Sequence, residues 1–327
     1  MRIIGVAVSV AILLAQGWTG VSGTTTAAFK TEIRGDLPRT TEGGKEMDKA
    51  VSLARSGKYE QALSLLERSS RQNPNDAVIW FWTGYCEENL GKLEEALNAY
   101  TKATEKKPDL AAAWLGRGTT LLRLERYEEA AQAFEKFTEL EPKRAEGYFY
   151  LGAAHLLGKK PAEAVHPLEK ALSLGFSDSL TVLVWIGDAY FQMDSFPQAE
   201  QAFRRAAAMP DAPGEAFLGW GKCRVAQNDP VGAIEPLDKA QEKLPQDPSP
   251  LYYEGMAYKL QGKMEEARKA WEAALQRKPD HARSLYELGM YAVQKGDKQT
   301  ATQYYDKLKP VNARLAQSLL QAILTLK

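Results

Sequence analysis

The sequence repeats itself with a period of 34 residues, and this period limits the possible folds more than any other feature. Glycine occupies one position of the repeat seven times in succession, with a single step of 35 residues among steps of 34. These glycines are Gly84, Gly118, Gly152, Gly187, Gly221, Gly255 and Gly289. Periods of this length are typical of arrays in which each repeat buries its apolar surface against its neighbours.

Each repeat has the pattern of two helices joined by a turn. The first helix carries apolar residues at helical spacing, as in Trp114, Gly118 and Leu121. A break such as "LGKL", with Gly91, suits a helix C-terminus whose glycine has a positive φ. The second helix places an alanine and a large apolar residue four positions apart, hence on one face. Small residues let the two helices approach, and the large residue fills the space beside their contact, so the chain is predicted to be all-α.

The pattern resembles that of the tetratricopeptide repeat (TPR) family. One repeat shows the matching residues Trp114, Gly118, Tyr127, Ala130, Phe134 and Pro142. The resemblance implies a right-handed α-α superhelix, a TPR solenoid. After Pro310, apolar residues from Leu315 to Leu326 fall on one side of a last helical stretch, so residues 312–327 are predicted to form a C-terminal capping helix. The eight repeat units are predicted at 43–76, 77–110, 111–144, 145–179, 180–213, 214–247, 248–281 and 282–311.

The N-terminal residues lie outside the repeats. Arg2 precedes an apolar run, Ile3 to Ala15, that is shorter than the ~20 residues needed to span a bilayer. Small residues follow, so we predict a secretory signal peptide over residues 1–23 and a periplasmic or secreted protein. An uncleaved N-terminal anchor is the alternative. Residues 24–42 lack periodicity and are predicted to be a flexible segment.

Charge and residue types argue against several classes of function. The chain has 42 Lys and Arg and 42 Asp and Glu, without a long run of one sign, which disfavours nucleic acid as a partner. The three histidines have no ligand-like spacing, and the glycines mark repeat positions rather than a phosphate-binding loop. Acidic pairs such as Glu94 and Glu95 recur where a second helix begins, and there they favour the positive helix end. We therefore expect no catalytic residue, cofactor or metal site.

Cys86 and Cys223 occupy the same position in units that are four repeats apart. Each stacked hairpin adds roughly one helix spacing of ~8–10 Å. That separation exceeds the ~7 Å between Cα atoms that a disulfide allows. We therefore predict two free, buried thiols.

The family resemblance also implies a place for a partner, because in TPR proteins the first helices line a concave channel. The channel positions transfer to Phe81, Tyr85, Leu115, Leu122, Phe149, Val184, Asp188, Phe191, Lys222, Tyr252, Met256, Lys259, Tyr286 and Met290. Arg123 and Arg283, with the charged residues of that set, are expected to orient the partner. The alternative is that many of these residues pack between neighbouring helices.

The family's binders of chaperone tails grip a terminal carboxylate with Lys and Asn at such positions. The first unit here carries Met47, Val51 and Ala54, so that clamp is absent.

The sequence thus predicts a non-catalytic scaffold or adaptor that binds a peptide or protein in the groove, in cell-envelope assembly or secretion. It is expected to act as a monomer or within a hetero-complex. One alternative is a tethering or regulatory subunit of an envelope enzyme complex, and another is an oligomer of stacks joined end to end.

Overall fold

The computed structural model describes residues 45–326, and within them the backbone forms seventeen α-helices and no strand. The helices are α1 (Lys45–Arg55), α2 (Tyr59–Gln72), α3 (Ala77–Asn89), α4 (Leu93–Lys106), α5 (Ala111–Arg123), α6 (Tyr127–Leu140), α7 (Ala145–Leu157), α8 (Pro161–Ser173), α9 (Ser179–Gln192), α10 (Phe196–Ala207), α11 (Gly214–Ala226), α12 (Pro230–Lys243), α13 (Ser249–Leu260), α14 (Met264–Arg277), α15 (Ala282–Gln294), α16 (Lys298–Leu308) and α17 (Ala313–Leu324). This confirms the all-α prediction. The predicted signal peptide and the segment 24–42 lie outside the described residues. Among the helices of residues 45–326, none combines the length and the apolar character that a bilayer crossing requires.

Each first helix is joined to its second helix by a tight turn that contains one residue in the left-handed region, with φ between 55° and 79°. Glycine takes this position in the first, second, seventh and eighth turns, which confirms the expectation for Gly91. The other four turns place a residue with a side chain there. In chain order these are Glu125, Lys159, Asp194 and Asn228.

The repeated glycines mark the closest approach between the two helices of a hairpin. A Cβ atom built on Gly118 would lie 2.5 Å from the Phe134 ring, and one on Gly255 would lie 2.3 Å from Trp271 Nε1. The large residue sixteen positions after each glycine therefore occupies the volume that a side chain would need. The same relationship joins Gly84 to Tyr100, Gly152 to Leu168, Gly187 to Phe203 and Gly221 to Leu237.

The last repeat glycine breaks this rule. The pattern predicts Tyr305 as the residue that packs on Gly289, but the structure places Leu319 of α17 there, 2.4 Å from an ideal Cβ. Helix α17 packs against α15 and α16, and it buries Ala316, Leu319 and Ile323. Helix α17 thus covers, on the hairpin of α15 and α16, the apolar surface that the next repeat covers elsewhere.

The described residues form two compact units, one ending at Val182 and the other starting at Leu183, and each is treated by itself below. Trp82, Tyr100 and Phe134 are fully buried in the first unit. Each unit contains one cysteine, and both cysteines are buried and free, as predicted. Burial raises the pKa of each thiol to about 12.

Candidate partner-binding face

Five of the fourteen predicted groove residues lie in the core. They are Phe81, Leu115, Leu122, Phe149 and Val184, all at most 6% exposed. Phe149, for example, stacks on Phe176 with ring centroids 4.5 Å apart. Since neighbouring side chains cover these residues, they are packing residues in this structure and offer no surface to a partner. The alternative reading of the sequence therefore holds for these five positions.

The other nine predicted residues are partly or largely exposed, and all but Tyr85 belong to the second unit. We call the following eight residues the second-unit face: Asp188 and Phe191 on α9, Lys222 on α11, Tyr252, Met256 and Lys259 on α13, and Tyr286 and Met290 on α15. The face thus draws on four successive first helices. The binding role of these residues stays a prediction.

The glycine contacts set the orientation of this face. Asp188, Lys222, Met256 and Met290 each directly follow a repeat glycine in the sequence. The contact that holds the glycine against another helix therefore also fixes the direction of the next side chain. Trp271 of α14 packs against Gly255 of α13. Its indole Nε1 donates a hydrogen bond of 3.2 Å to the backbone carbonyl of Tyr252, also on α13. The backbone beneath the face is consequently held by packing and by a polar contact.

Tyr85, in the first unit, belongs to an aromatic cluster. Its ring meets those of Trp82 and Tyr59 edge-on, with centroids 5.4 Å and 6.2 Å away. Burial is the largest cause that raises the pKa of Tyr85 to about 12. Tyr85 is thus largely engaged by neighbours, although part of its side chain stays exposed.

Arg123, predicted as an orienting cation, is engaged inside the first unit. The Glu88 carboxylate, 3% exposed, accepts a hydrogen bond of 3.0 Å from the Tyr100 hydroxyl and lies 3.5 Å from an Arg123 nitrogen. Burial raises the pKa of Glu88 to about 7, against the opposing effect of the Arg123 guanidinium. Glu88, Tyr100 and Arg123 lie on α3, α4 and α5, respectively. Arg123 therefore holds two neighbouring repeats together.

Lys222 is the central cation of the second-unit face. Its Nζ lies 4.5 Å from the centre of the Phe191 ring and 5.8 Å from that of the Tyr253 ring, which are cation–π distances. Burial raises the pKa of the nearby Asp188 to about 6, and the Lys222 ammonium opposes this rise. Rings from α9 and α13 therefore hold the ammonium at the surface of α11.

Tyr253 was missed by the sequence reasoning, and it links two cations. An Arg283 nitrogen donates a hydrogen bond of 3.0 Å to the Tyr253 hydroxyl, and the guanidinium carbon lies 5.9 Å from the centre of the Tyr252 ring. Tyr253 directly follows the predicted channel residue Tyr252, and this aromatic pair was the signal in the sequence. We include Tyr253 and Arg283 in the second-unit face from here on.

Lys259, by contrast, has an acidic partner. Its Nζ lies 2.7 Å from a carboxylate oxygen of Glu287, which is only 8% exposed. Met256, Tyr286 and Met290 lie nearby as partly buried residues packed on the core of this unit. The face therefore combines flexible apolar side chains, aromatic rings and cations. No group of three or more metal-ligating side chains occurs in residues 45–326.

Two family models match the chain. Residues 55–249 match the model described as the C-terminal domain of cilia and flagella-associated protein 70, and residues 253–318 match the model described as tetratricopeptide repeat. The comparison with curated proteins gives no match.

Solved structures with similar folds include a complex and a bacterial protein. The structure of the APC/C hetero-tetramer Cut9–Hcn1 matches with a TM-score of 0.55 and 14% identity over 85% of this chain and 55% of that chain. The C-terminal part of a TPR repeat-containing protein from Cytophaga hutchinsonii matches with a TM-score of 0.54 and 17% identity over 84% of this chain and 99% of that chain. This chain thus spans about half of the Cut9–Hcn1 chain it matches. At these identities the similarity shows the fold alone.

Proposed function

Because the chain belongs to the tetratricopeptide-repeat family, we propose that it is a protein-interaction scaffold whose second-unit face binds a peptide or protein partner. TPR proteins generally bind such partners. The observation that carries the proposal is the uneven exposure of the predicted channel residues, because eight of the nine in the second unit are at least partly accessible and four of the five in the first unit are buried.

The side chains of the face suit a partner segment that lies across α9, α11, α13 and α15. Met256 and Met290 are unbranched and polarizable, so they adapt to different apolar side chains. Tyr252 and Tyr286 offer large contact areas with few rotatable bonds. An extended or helical segment with apolar anchors suits this arrangement, since α9, α13 and α15 each present apolar or aromatic side chains of the face.

The proposed activity is binding without catalysis. Lys259 pairs with Glu287, Lys222 faces aromatic rings, and Arg283 contacts Tyr253. These contacts hold charges in place, whereas a nucleophile needs a base within hydrogen-bonding distance.

The proposed setting is the cell envelope, after export through a signal peptide that spans residues 1–23. The apolar run after Arg2 supports this proposal. Sequencing the N-terminus of the protein purified from its own cells tests it, and a mature chain that starts near Thr24 is the expected result. A chain that retains Met1 and sediments with the membrane supports the anchor alternative.

Site-specific photocrosslinking tests the binding face. A photoreactive phenylalanine replaces Tyr252 or Tyr286 in the second unit, and Tyr148 of the first unit provides the matched control position. We expect a discrete crosslinked adduct from the first two positions and none from Tyr148 after irradiation of native extracts. Equal adducts from all three positions, or adducts from Tyr148 alone, would contradict the proposal. Circular dichroism of each variant checks that the helices remain intact.

A further inference from the structure

Tyr253 of the second-unit face has a cation at its ring and another at its hydroxyl. The Lys222 ammonium faces the Tyr253 ring, and the Arg283 guanidinium donates to the Tyr253 hydroxyl. A phenol that accepts one hydrogen bond keeps its own O–H as a donor. An ammonium, a phenol and a guanidinium from α11, α13 and α15 are thus presented together at a partly exposed position.

Lys222 and Arg283 differ from Lys259 and Arg224 of the same unit, which form ion pairs with buried or half-buried carboxylates. Lys259 pairs with Glu287, and Arg224 lies 2.6 Å from both Glu200 and Asp229. Among the residues that the structure describes, neither Lys222 nor Arg283 has a carboxylate within the 4.0 Å of an ion pair. Asp188 is near enough for the Lys222 ammonium to oppose the rise of its pKa, so it balances part of the Lys222 charge from beyond that distance. The Arg283 charge and the rest of the Lys222 charge are left for an acidic group from outside this part of the chain, since carboxylates form strong, charge-assisted hydrogen bonds with such donors.

The surroundings of the three donors indicate where in a partner the acidic group lies. Phe191 flanks Lys222 on α9, and Met256, Tyr286 and Met290 lie on α13 and α15. Apolar surface therefore continues on both sides of the donors. A segment that crosses all four helices places apolar side chains before and after its acidic residue, which requires an acidic side chain inside the segment.

We propose that Lys222, Tyr253 and Arg283 form a subsite for an internal Asp or Glu side chain of the partner segment, flanked by apolar residues. This inference rests on the proposed function, because it assigns a chemistry to the same face. The partner is then an acidic and apolar peptide, and the subsite selects it by charge complementarity.

The test is selection from a random 12-residue peptide library displayed on phage with the peptide C-terminus fused, so that no free carboxyl terminus is offered. The full chain, the Lys222→Ala/Arg283→Ala variant and the Lys269→Ala/Lys309→Ala variant are the three targets. The last variant removes the same charge from exposed positions of the unit. We expect enrichment of internal Asp and Glu between apolar residues for the native chain and the charge control, and its loss for Lys222→Ala/Arg283→Ala.

Selected peptides are then synthesised with amidated C-termini and measured by fluorescence anisotropy. Glu→Gln in the peptide is expected to weaken binding to the native chain about tenfold, as loss of a charge-assisted hydrogen bond does. Tyr253→Phe removes only the hydroxyl, and it is expected to weaken binding of the acidic peptide more than of its Gln form. Thermal unfolding of each variant checks folding, and Lys222→Met replaces Lys222→Ala where the alanine variant unfolds.

Each other outcome overturns the inference in a recognisable way. Non-acidic peptides that depend on Tyr286 and Met290 overturn the acidic subsite and leave the proposed function standing. Peptides whose affinity is unchanged by Tyr286→Ala and Met290→Ala overturn both. Binding that requires a free peptide C-terminus overturns the internal position of the acid.

Discussion

Leu319 occupies the space above Gly289 that Tyr305 was expected to fill. Leu319 is fully buried, whereas Tyr305 stays partly exposed. In the six preceding hairpins the residue that packs on the glycine comes from the second helix of the same hairpin. The last hairpin is therefore completed by α17, a helix outside the repeat.

Leu319→Ala is expected to lower the free energy of unfolding by about 3 kcal/mol, because it leaves a cavity over Gly289 that the fixed helices cannot close. Leu324→Ala on the same helix is the matched control, since its side chain is 71% exposed and its removal should change stability by less than about 0.5 kcal/mol. Urea unfolding followed by circular dichroism measures both. Equal effects of the two substitutions would contradict the packing role of Leu319.

Glu125→Gly and Lys159→Gly are each expected to raise stability by about 0.5–1 kcal/mol. Both residues have a φ near +60°, where a side chain is strained and glycine is not. The converse substitution, Gly91→Ala, should destabilise by a similar amount through backbone strain alone, because nothing lies within 4 Å of an added Cβ. Thermal unfolding of the three variants checks this prediction. A change in stability with the same sign in all three would refute the explanation.

Glu88 should make the stability of the first unit depend on pH. Its pKa is raised from 4.5 to about 7 in the folded state, so the stabilisation is complete below about pH 4.5 and is lost as the pH rises through about 7. Between pH 4 and pH 8, the free energy of unfolding of the native chain should fall by about 3 kcal/mol relative to that of the Glu88→Gln variant. Urea midpoints of both proteins across this range measure the difference. A difference between the two midpoints that does not change with pH would show that folding does not raise the pKa of Glu88.

The two thiols should resist alkylation while the protein is folded. Cys86 and Cys223 are buried, and a pKa of about 12 leaves almost no reactive thiolate at pH 8. Mass spectrometry after iodoacetamide treatment should find neither thiol modified in buffer and both modified in about 6 M guanidinium chloride, above the ~5 M midpoint that marks a hyperstable protein. Rapid labelling of either thiol in buffer would mean that its helix opens locally.

The sequence was sufficient to predict the hairpins because the same physical demand recurs in every repeat. Gly118 and Phe134 are sixteen residues apart in the pattern, and they meet in the structure. The packing of Leu319 on Gly289 could not be predicted in this way, since α17 has no counterpart in the other repeats. Periodicity carries information only about contacts that recur.

The candidate site was predictable only in part. The repeat position of Phe149 indicates which side of α7 it lies on, but Phe176 covers it, and that residue belongs to an irregular connection. Tyr253 occupies a position beside the predicted channel row, and its importance comes from contacts with Lys222 and Arg283 in two other repeats. Exposure and charge pairing depend on such contacts between different residues, which one repeat position does not encode.

The position of Leu319 limits how this array can be lengthened by engineering. A module fused after Leu326 would meet an outer side of α17 on which Arg314, Gln317 and Gln321 are exposed and Leu324 is the large apolar side chain that it could join. A copy of residues 248–281 inserted before Ala282 would instead pack on the hairpin of α13 and α14 on one side. On its other side it would pack on the hairpin of α15 and α16, as a natural repeat does. Because α17 covers the hairpin of α15 and α16, additional repeats have to be inserted before these helices.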